Sequence, residues 1–311
     1  MRRLLVVLFL AAITLGPGPC SVGGQREWTL HKTANGAHPN GAEQQLLWLM
    51  NRARQNPTAE GRFLATLDDP LVRARIAGFG VDLDLLQREF AEIVPKPPAA
   101  FDRRLYRAAR AHSLDMIERD RQDHSGQGAR VTAAGFRTRR HHGNAYAFAE
   151  SSLEAHAAFN IDWGGRNSSG MQGSRPHRRG LMSVDADLTN VGIAAVPETD
   201  RRTQVGPLVV TANYEEADDL HSDHHNRFLV GTVWRDRNGN GRYDPGEGLR
   251  GVTVTPSAGP YFAVTAAGGG YAIPILEPGR IDVTFLGSNA PLHTRSVRVR
   301  GTSLLVDYVV P

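Results

Sequence analysis

Disulfides are excluded at once, because the 311 residues contain a single cysteine, Cys20. An exported chain reaches a compartment that permits disulfides, so the body of this one must be held by packing or by bound metal. A second lack is any long apolar run. Only Leu4 to Leu15 qualifies, and it is too short to span a bilayer. With Arg2 and Arg3 before it and Gly16 to Pro19 after it, this run reads as a secretory leader over residues 1–20. Cys20 then stands where a lipid-anchored bacterial protein carries its modified residue and is a candidate lipid attachment point. Pro17-Gly18-Pro19 argues against that role, since small non-proline residues normally precede such a cysteine. A third lack is charge of one sign. Lys and Arg number 36 against 32 Asp and Glu, a balance of +4, and loss of Arg2 and Arg3 leaves +2. Net charge thus gives a nucleic-acid-binding role no support. The run Arg137 to His142 reads as a solvated loop.

What is present describes a folded chain, with 41% hydrophobic and 22% charged residues. Its length suits one large domain and one smaller one. Residues 21–41 are polar and rich in Gly, Asn and His, which reads as a tether. Helical spacing begins at Glu43 and places Leu46, Leu47, Met50, Ala53 and Arg54 together, until Asn56-Pro57 stops it. Residues Asp68 to Val94 suit one or two further helices, and Pro95 to Pro98 forces an extended connector. Asp102 is a plausible cap for a helix with Leu105, Ala108, Ala109, His112 and Met116 on one face, where His112 reads as packed core. Tyr146 to Ala158 reads as another helix carrying Glu150. Strands are expected at Asn190 to Val196 and Leu208 to Tyr214. Helices first and paired strands later, without βα alternation, indicate an α+β fold or three-layer sandwich.

The stretch from His124 to His177 concentrates the chemistry. His124 and His177 lie among glycines and small residues with Glu150 and Asp162 between them. Imidazole nitrogen and carboxylate oxygen converging there would hold a divalent metal such as zinc.

Residues 42–214 resemble the CAP superfamily, the domain of cysteine-rich secretory proteins, antigen 5 and pathogenesis-related 1 proteins, in its disulfide-free bacterial (SCP-like) form. The matching features run in one order: Leu49-Met50-Asn51-Arg52-Ala53-Arg54, the proline-led connector, Ala108-Ala109, Asp115-Met116, the His124 loop, Ala149-Glu150, Trp163, His177-Arg178, Thr189 to Ile193, and Val210 to Tyr214. The resemblance implies an α-β-α sandwich with a cavity of two histidines and two acids that binds zinc or another divalent ion in many members. His124, His177 and Glu150 match three of these four. The second acid normally follows the tryptophan, where this chain has Gly164-Gly165-Arg166-Asn167, so Asp162 is taken as its substitute. Ser151 stands where an Asn usually follows the Glu, and a long insertion separates His124 from Glu150.

Residues 215–226, with His221, Asp223, His224 and His225, read as a solvated acidic and histidine-rich linker. Beyond it, Asp236 to Glu247 fits the twelve-position calcium loop. Asp236, Asn238, Asn240 and Asp244 supply side-chain oxygens at positions 1, 3, 5 and 9. Arg242 supplies a backbone carbonyl at 7, Gly241 the turn at 6, and Glu247 the bidentate carboxylate at 12. The flanks Phe228 to Trp234 and Val252 to Thr255 are β-branched and strand-like rather than helical. Strands at Gly270 to Ile273, Ile281 to Phe285, Thr294 to Val299 and Leu304 to Val310 would complete a small all-β, Ig-like sandwich over 227–311. This part resembles the calcium-binding B-repeat domains of bacterial surface adhesins, which implies a stalk stiffened by calcium.

The functional expectation is a secreted or cell-envelope CAP-domain protein. It would bind a lipid, small-molecule or cell-surface partner in the His/acid cleft without catalysis, would not bind nucleic acid, and would have no transmembrane span. Two alternatives stand beside it: a metal-dependent hydrolase using His124, Glu150 and His177, and a structural adhesin-like surface module.

Overall fold

The fold is taken from a computed structural model that describes residues 24–311. The expected leader and Cys20 lie outside the described residues. Helix α1 (Gly41–Gln55) starts at a capping box, in which Asn40 accepts from the Glu43 amide while Glu43 accepts from the Asn40 amide. Asn56 ends it and at once caps α2 (Pro57–Thr66), whose leading proline lacks only an N–H that a helix start cannot use. Asp69 and Asp82 cap α3 (Pro70–Phe79) and α4 (Leu83–Glu92) in the same way. After the proline connector come β2 (Ala100–Phe101) and α5 (Arg103–Glu118), capped by Asp102. Then follow α6 (Gln127–Ala133), β3 (Thr138–Ala149), α7 (Ser152–Ile161), α8 (Pro176–Leu181), β4 (Asn190–Pro197) and β5 (Leu208–Ala217).

These strands form one sheet in the order β2-β4-β5-β3, parallel between β2 and β4 and antiparallel elsewhere. Apolar clusters lie on both of its faces. Met116 of α5 packs with Ala145, Ala147 and Val209 on one face, while residues of α1, α7 and α8 pack with Ile193, Ala212 and Tyr214 on the other. Two expectations fail at β3. Most of the expected Arg137 to His142 loop and the first four residues of the helix expected over Tyr146 to Ala158 are instead one edge strand, in register with β5 through His141↔Glu215, His142↔Tyr214 and Tyr146↔Val210, while the rest of that helix, from Ser152, forms as α7. The alanines that suggested a helix face a strand partner, and that pairing overrides a weak local preference.

The remaining strands are β6 (Phe228–Trp234), β7 (Thr253–Pro256), β8 (Tyr261–Val264), β9 (Gly270–Pro274), β10 (Gly279–Gly287), β11 (Ala290–Val299), β12 (Leu304–Leu305) and β13 (Tyr308–Val309). They are joined by β1 (Arg26–Glu27), which pairs parallel with β8 at the edge of the sheet β1-β8-β7-β10-β11. The other sheet sets β6 between β9 and the short β12 and β13, and one apolar core lies between the two. All three sheets therefore mix parallel and antiparallel pairs, so the chain as a whole is a mixed α and β structure.

The expected tether is thus structured from residue 24 onward. Trp28 is buried in the β core edge-on to Tyr261, with ring centroids 5.1 Å apart. A buried indole removes enough apolar area from water to hold a segment that looks polar on average. The expected linker is likewise packed. β5 runs to Ala217, and His224 is buried, its Nε2 accepting from the Arg137 amide at 2.8 Å.

The helical part and the β part share a wall. Trp48 of α1 meets Trp234 edge-on at 5.9 Å and donates to Asp307 at 3.0 Å. Gln44 donates to Thr232 at 2.7 Å. Close approach requires glycine here, because a Cβ on Gly270 would stand 2.0 Å from Gln44 Oε1 and one on Gly268 2.6 Å from the Asn40 carbonyl.

Candidate functional site

Helix α7 and the loop after it build the cleft. Ser151 caps α7 by accepting from the Glu154 amide, and Asp162 ends it in the left-handed conformation at φ 60°. That turn aims the Asp162 carboxylate at the start of α8. Its Oδ2 accepts from the His177 amide at 2.8 Å, and its Oδ1 accepts from His177 Nδ1 at 2.8 Å. His124 is held similarly, Nδ1 lying 2.9 Å from Gln127 Oε1. Both partners are acceptors, so in the neutral imidazoles Nδ1 carries the proton and Nε2 presents its lone pair. The two imidazoles stand nearly parallel, centroids 6.3 Å apart.

The structure brings His124, His177 and Asp162 together but gives Asp162 the place of an orienting group rather than of a ligand. Glu150 is directed elsewhere, with its half-exposed carboxylate on Arg75 Nη2 at 3.3 Å. The acid that is buried is Glu154, on which the sequence reading placed no weight. It accepts from Arg75 Nε at 3.0 Å, Tyr146 O–H at 3.1 Å and the Glu150 amide at 2.6 Å. Its signal was present as Ser151 followed three residues later by Glu154, the capping pattern. Burial, aided by this carboxylate, pushes the Tyr146 phenol above its ordinary range.

Beside His177 opens a cavity of about 300 Å³ lined by Phe79, Tyr146, Phe148, Phe159, Trp163, Arg75, Gln122 and Gln172. Phe79 stacks on Trp163 with centroids 6.2 Å apart, and Phe159 lies 6.1 Å from the His177 ring. Arg178, next to His177, ties α8 to the end of α7. It is buried, donates to the Asn160 carbonyl at 2.5 Å and to that of Ile161 at 3.1 Å, pairs with Glu89, and sits 4.8 Å over Phe90. Arg54 does comparable work beneath the sheet, donating to the carbonyls of Leu181 and Leu188, and burial lowers its pKa to about 10.

Zinc held by protein alone takes four ligands. Two oriented imidazoles supply half of that set, and among the described residues no group of three or more His, Cys, Asp and Glu is placed to hold a metal ion. The cleft residues therefore do not fit a closed zinc site. Elsewhere on the sheet, His141 Nδ1 lies 2.5 Å from the fully buried Glu215 carboxylate, a pair that appeared only once β3 and β5 were in register. Burial raises the Glu215 pKa while His141 draws it down.

The loop Asp236 to Glu247 closes on itself. Asp236 accepts from the amides of Gly239 at 2.8 Å and Gly241 at 2.9 Å. The carboxamides of Asn238 and Asn240 both meet Asp244 Oδ2, at 2.8 and 2.7 Å. Glu247 accepts from the Arg237 and Asp244 amides. Asn238 and Asn240 thus converge on Asp244, while Asp236 and Glu247 are taken up by backbone amides of the loop and, among the described residues, no three or more carboxylates are gathered to hold a metal ion; Arg242 contributes its position in the backbone, its amide donating to Asn240 Oδ1. Gly239 and Gly241 supply φ of 74° and 71°, and Tyr243 anchors the loop by donating to the Gly268 carbonyl at 2.9 Å.

Among the described residues no helix is long and apolar enough to cross a membrane. No protein-family model matches the chain, and no curated protein matches it. Among solved structures it is similar to an extracellular protein containing an SCP domain from Bacillus anthracis str. Ames, at 17% identity and a TM-score of 0.30, over 48% of this chain and 44% of that one. The chain thus spans less than half the length of that protein, to which it is a weak structural neighbour.

Proposed function

We propose that this chain is an exported protein of the CAP type that binds a small ligand with an aromatic and a polar part without catalysis, and that a divalent cation, calcium by its oxygen donors, braces the loop 236–247. The observation that carries the reading is the aromatic-walled cavity with His177 at its edge. Aromatic walls interleaved with the polar groups of Arg75, Gln122, Gln172 and His177 form a concave site for a small ligand with both an aromatic and a polar part. Phe148 at the mouth is 40% exposed and Phe79 is 43% exposed, which leaves apolar surface for a ligand to cover. The Nε2 atom of His177, on the cavity lining, would accept a hydrogen bond from its polar end. The hydrolase reading lacks a comparable support, because the Glu150 carboxylate is paired with Arg75. The adhesin-like reading lacks one as well, since the β part shares a wall with α1 rather than standing off as a stalk.

The test is fluorescence titration with 1-anilinonaphthalene-8-sulfonate, an aromatic anion of suitable size. Wild type is expected to saturate at one site, and Phe148→Ala to weaken binding about tenfold through loss of buried apolar area. Equal binding by both, with unchanged melting curves, would remove the cavity as the site.

A further inference from the structure

A second cleft, of about 530 Å³, lies between the helical part and the β part, away from the aromatic cavity. One wall is the proline connector, set by the Lys96 amide donating to the Arg54 carbonyl at 2.9 Å and by Gln55 donating to the Lys96 carbonyl at 2.9 Å. The opposite wall presents Arg298 and Arg300, two residues apart and so on one side of the chain, with Val299 buried between them. Arg298 is also the direct cross-strand partner of Arg280 on β10. Like charges placed opposite each other on a sheet repel, and among the described residues no carboxylate forms a salt bridge with any of these three arginines, the Asp187 carboxylate that shares the cleft being paired with Lys96. The ion pair within the cleft is Lys96 with Asp187, at 3.0 Å.

We infer that this interdomain cleft binds a phosphate-bearing anion, clamped between Arg298 and Arg300 on the β part and Lys96 on the helical part. Guanidinium forks match the geometry of phosphate oxygens, and an ammonium opposite supplies a point charge. The near-neutral whole chain gives no hint of this, because the feature is a local cluster assembled by strand register. Asp187 competes with the anion for Lys96, so its removal acts in the direction opposite to loss of the arginines.

The experiment is calorimetric titration of the full chain with inorganic tripolyphosphate at low and moderate salt. We expect saturable binding that weakens with salt. Arg298→Gln with Arg300→Gln should raise Kd about tenfold or more, as expected for loss of charge-assisted hydrogen bonds. Asp187→Asn should lower Kd, and Arg201→Gln with Arg202→Gln, an equal charge change at a distant exposed loop, should leave it unchanged. Absence of binding, equal weakening by the distant pair, or weakening by Asp187→Asn would each overturn the inference. Citrate binding as tightly as tripolyphosphate would overturn the assignment to phosphate. Melting curves for every variant separate lost binding from lost folding.

Discussion

Gln45 donates its side-chain N–H to Asp244 at 2.9 Å, joining helix α1 to the candidate cation loop across the boundary between the two parts. The same amide donates to the Tyr243 carbonyl at 3.1 Å, and its oxygen accepts from Ser152 at the start of α7 at 2.5 Å. One buried carboxamide therefore touches the loop, α1 and the helix that carries the ligand cleft. Gln45→Ala leaves buried partners unsatisfied and is expected to cost about 1–3 kcal/mol in urea unfolding. Calcium should also slow hydrogen exchange in residues 150–161 of wild type but not of Gln45→Ala, while still protecting 236–247 in both. Identical calcium responses in the two proteins would show that the link carries nothing.

Calcium at the loop should raise the melting temperature of the full chain. At a concentration one hundred times Kd the stabilisation is about 2.7 kcal/mol. Asp236→Ala should abolish the rise, because Asp236 both supplies an oxygen and shapes the turn through Gly239 and Gly241. An unchanged wild-type melting curve at millimolar calcium would sink the assignment. The full chain is the right material, since a fragment starting at 226 would lack β1 and Trp28.

Asp162→Asn tests the orientation of His177. Asn tolerates the left-handed backbone but loses the charge that holds the Nδ1 proton. Nitrogen-15 NMR of the imidazole should show wild type protonated at Nδ1 and the variant as a mixture of tautomers, with weaker probe binding in the cavity. A single unchanged tautomer in the variant would mean that Asp162 does not set it.

Asp307 makes the boundary sensitive to pH. Burial pushes its pKa from the ordinary 3.8 up to about 6, against the pull of the Thr232 amide and Trp48 N–H. Between these values the folded carboxyl keeps a proton that the unfolded chain has lost. Its contribution to stability is therefore full below about pH 4 and lost as pH rises through about 6. Asp307→Asn should flatten that part of the profile, read as the difference from wild type in denaturation midpoints from pH 4 to 7. Parallel profiles would assign the pH dependence to other groups.

Local features were legible and long-range ones were not. The α1 and α5 starts, the strands near Asn190 and Leu208, and the oxygen pattern of 236–247 each lie within a dozen or so residues, and caps, alternation and ligand spacing act over that range. β3 was misread because its alanines suit a helix when no partner strand is in view. β1 was missed because two residues of strand and one tryptophan leave little periodic trace. Glu150 was singled out by its place in a motif, whereas the buried acid is four residues on.

The sequence by itself determined that residues 1–20 have the pattern of a leader, that no disulfide can form within the chain, where α1 and α5 begin, and that residues 236–247 carry oxygen-bearing side chains at the spacing of a cation loop. Only the tertiary structure decided which side chains meet: Asp162 behind His177, Gln45 between Asp244 and Ser152, and Arg298 opposite Arg280. The physical reason is range. Capping and turn chemistry act between neighbours in the chain, while a carboxylate becomes an orienting group, and arginines become a clamp, only when packing and strand register bring together residues that the sequence keeps apart.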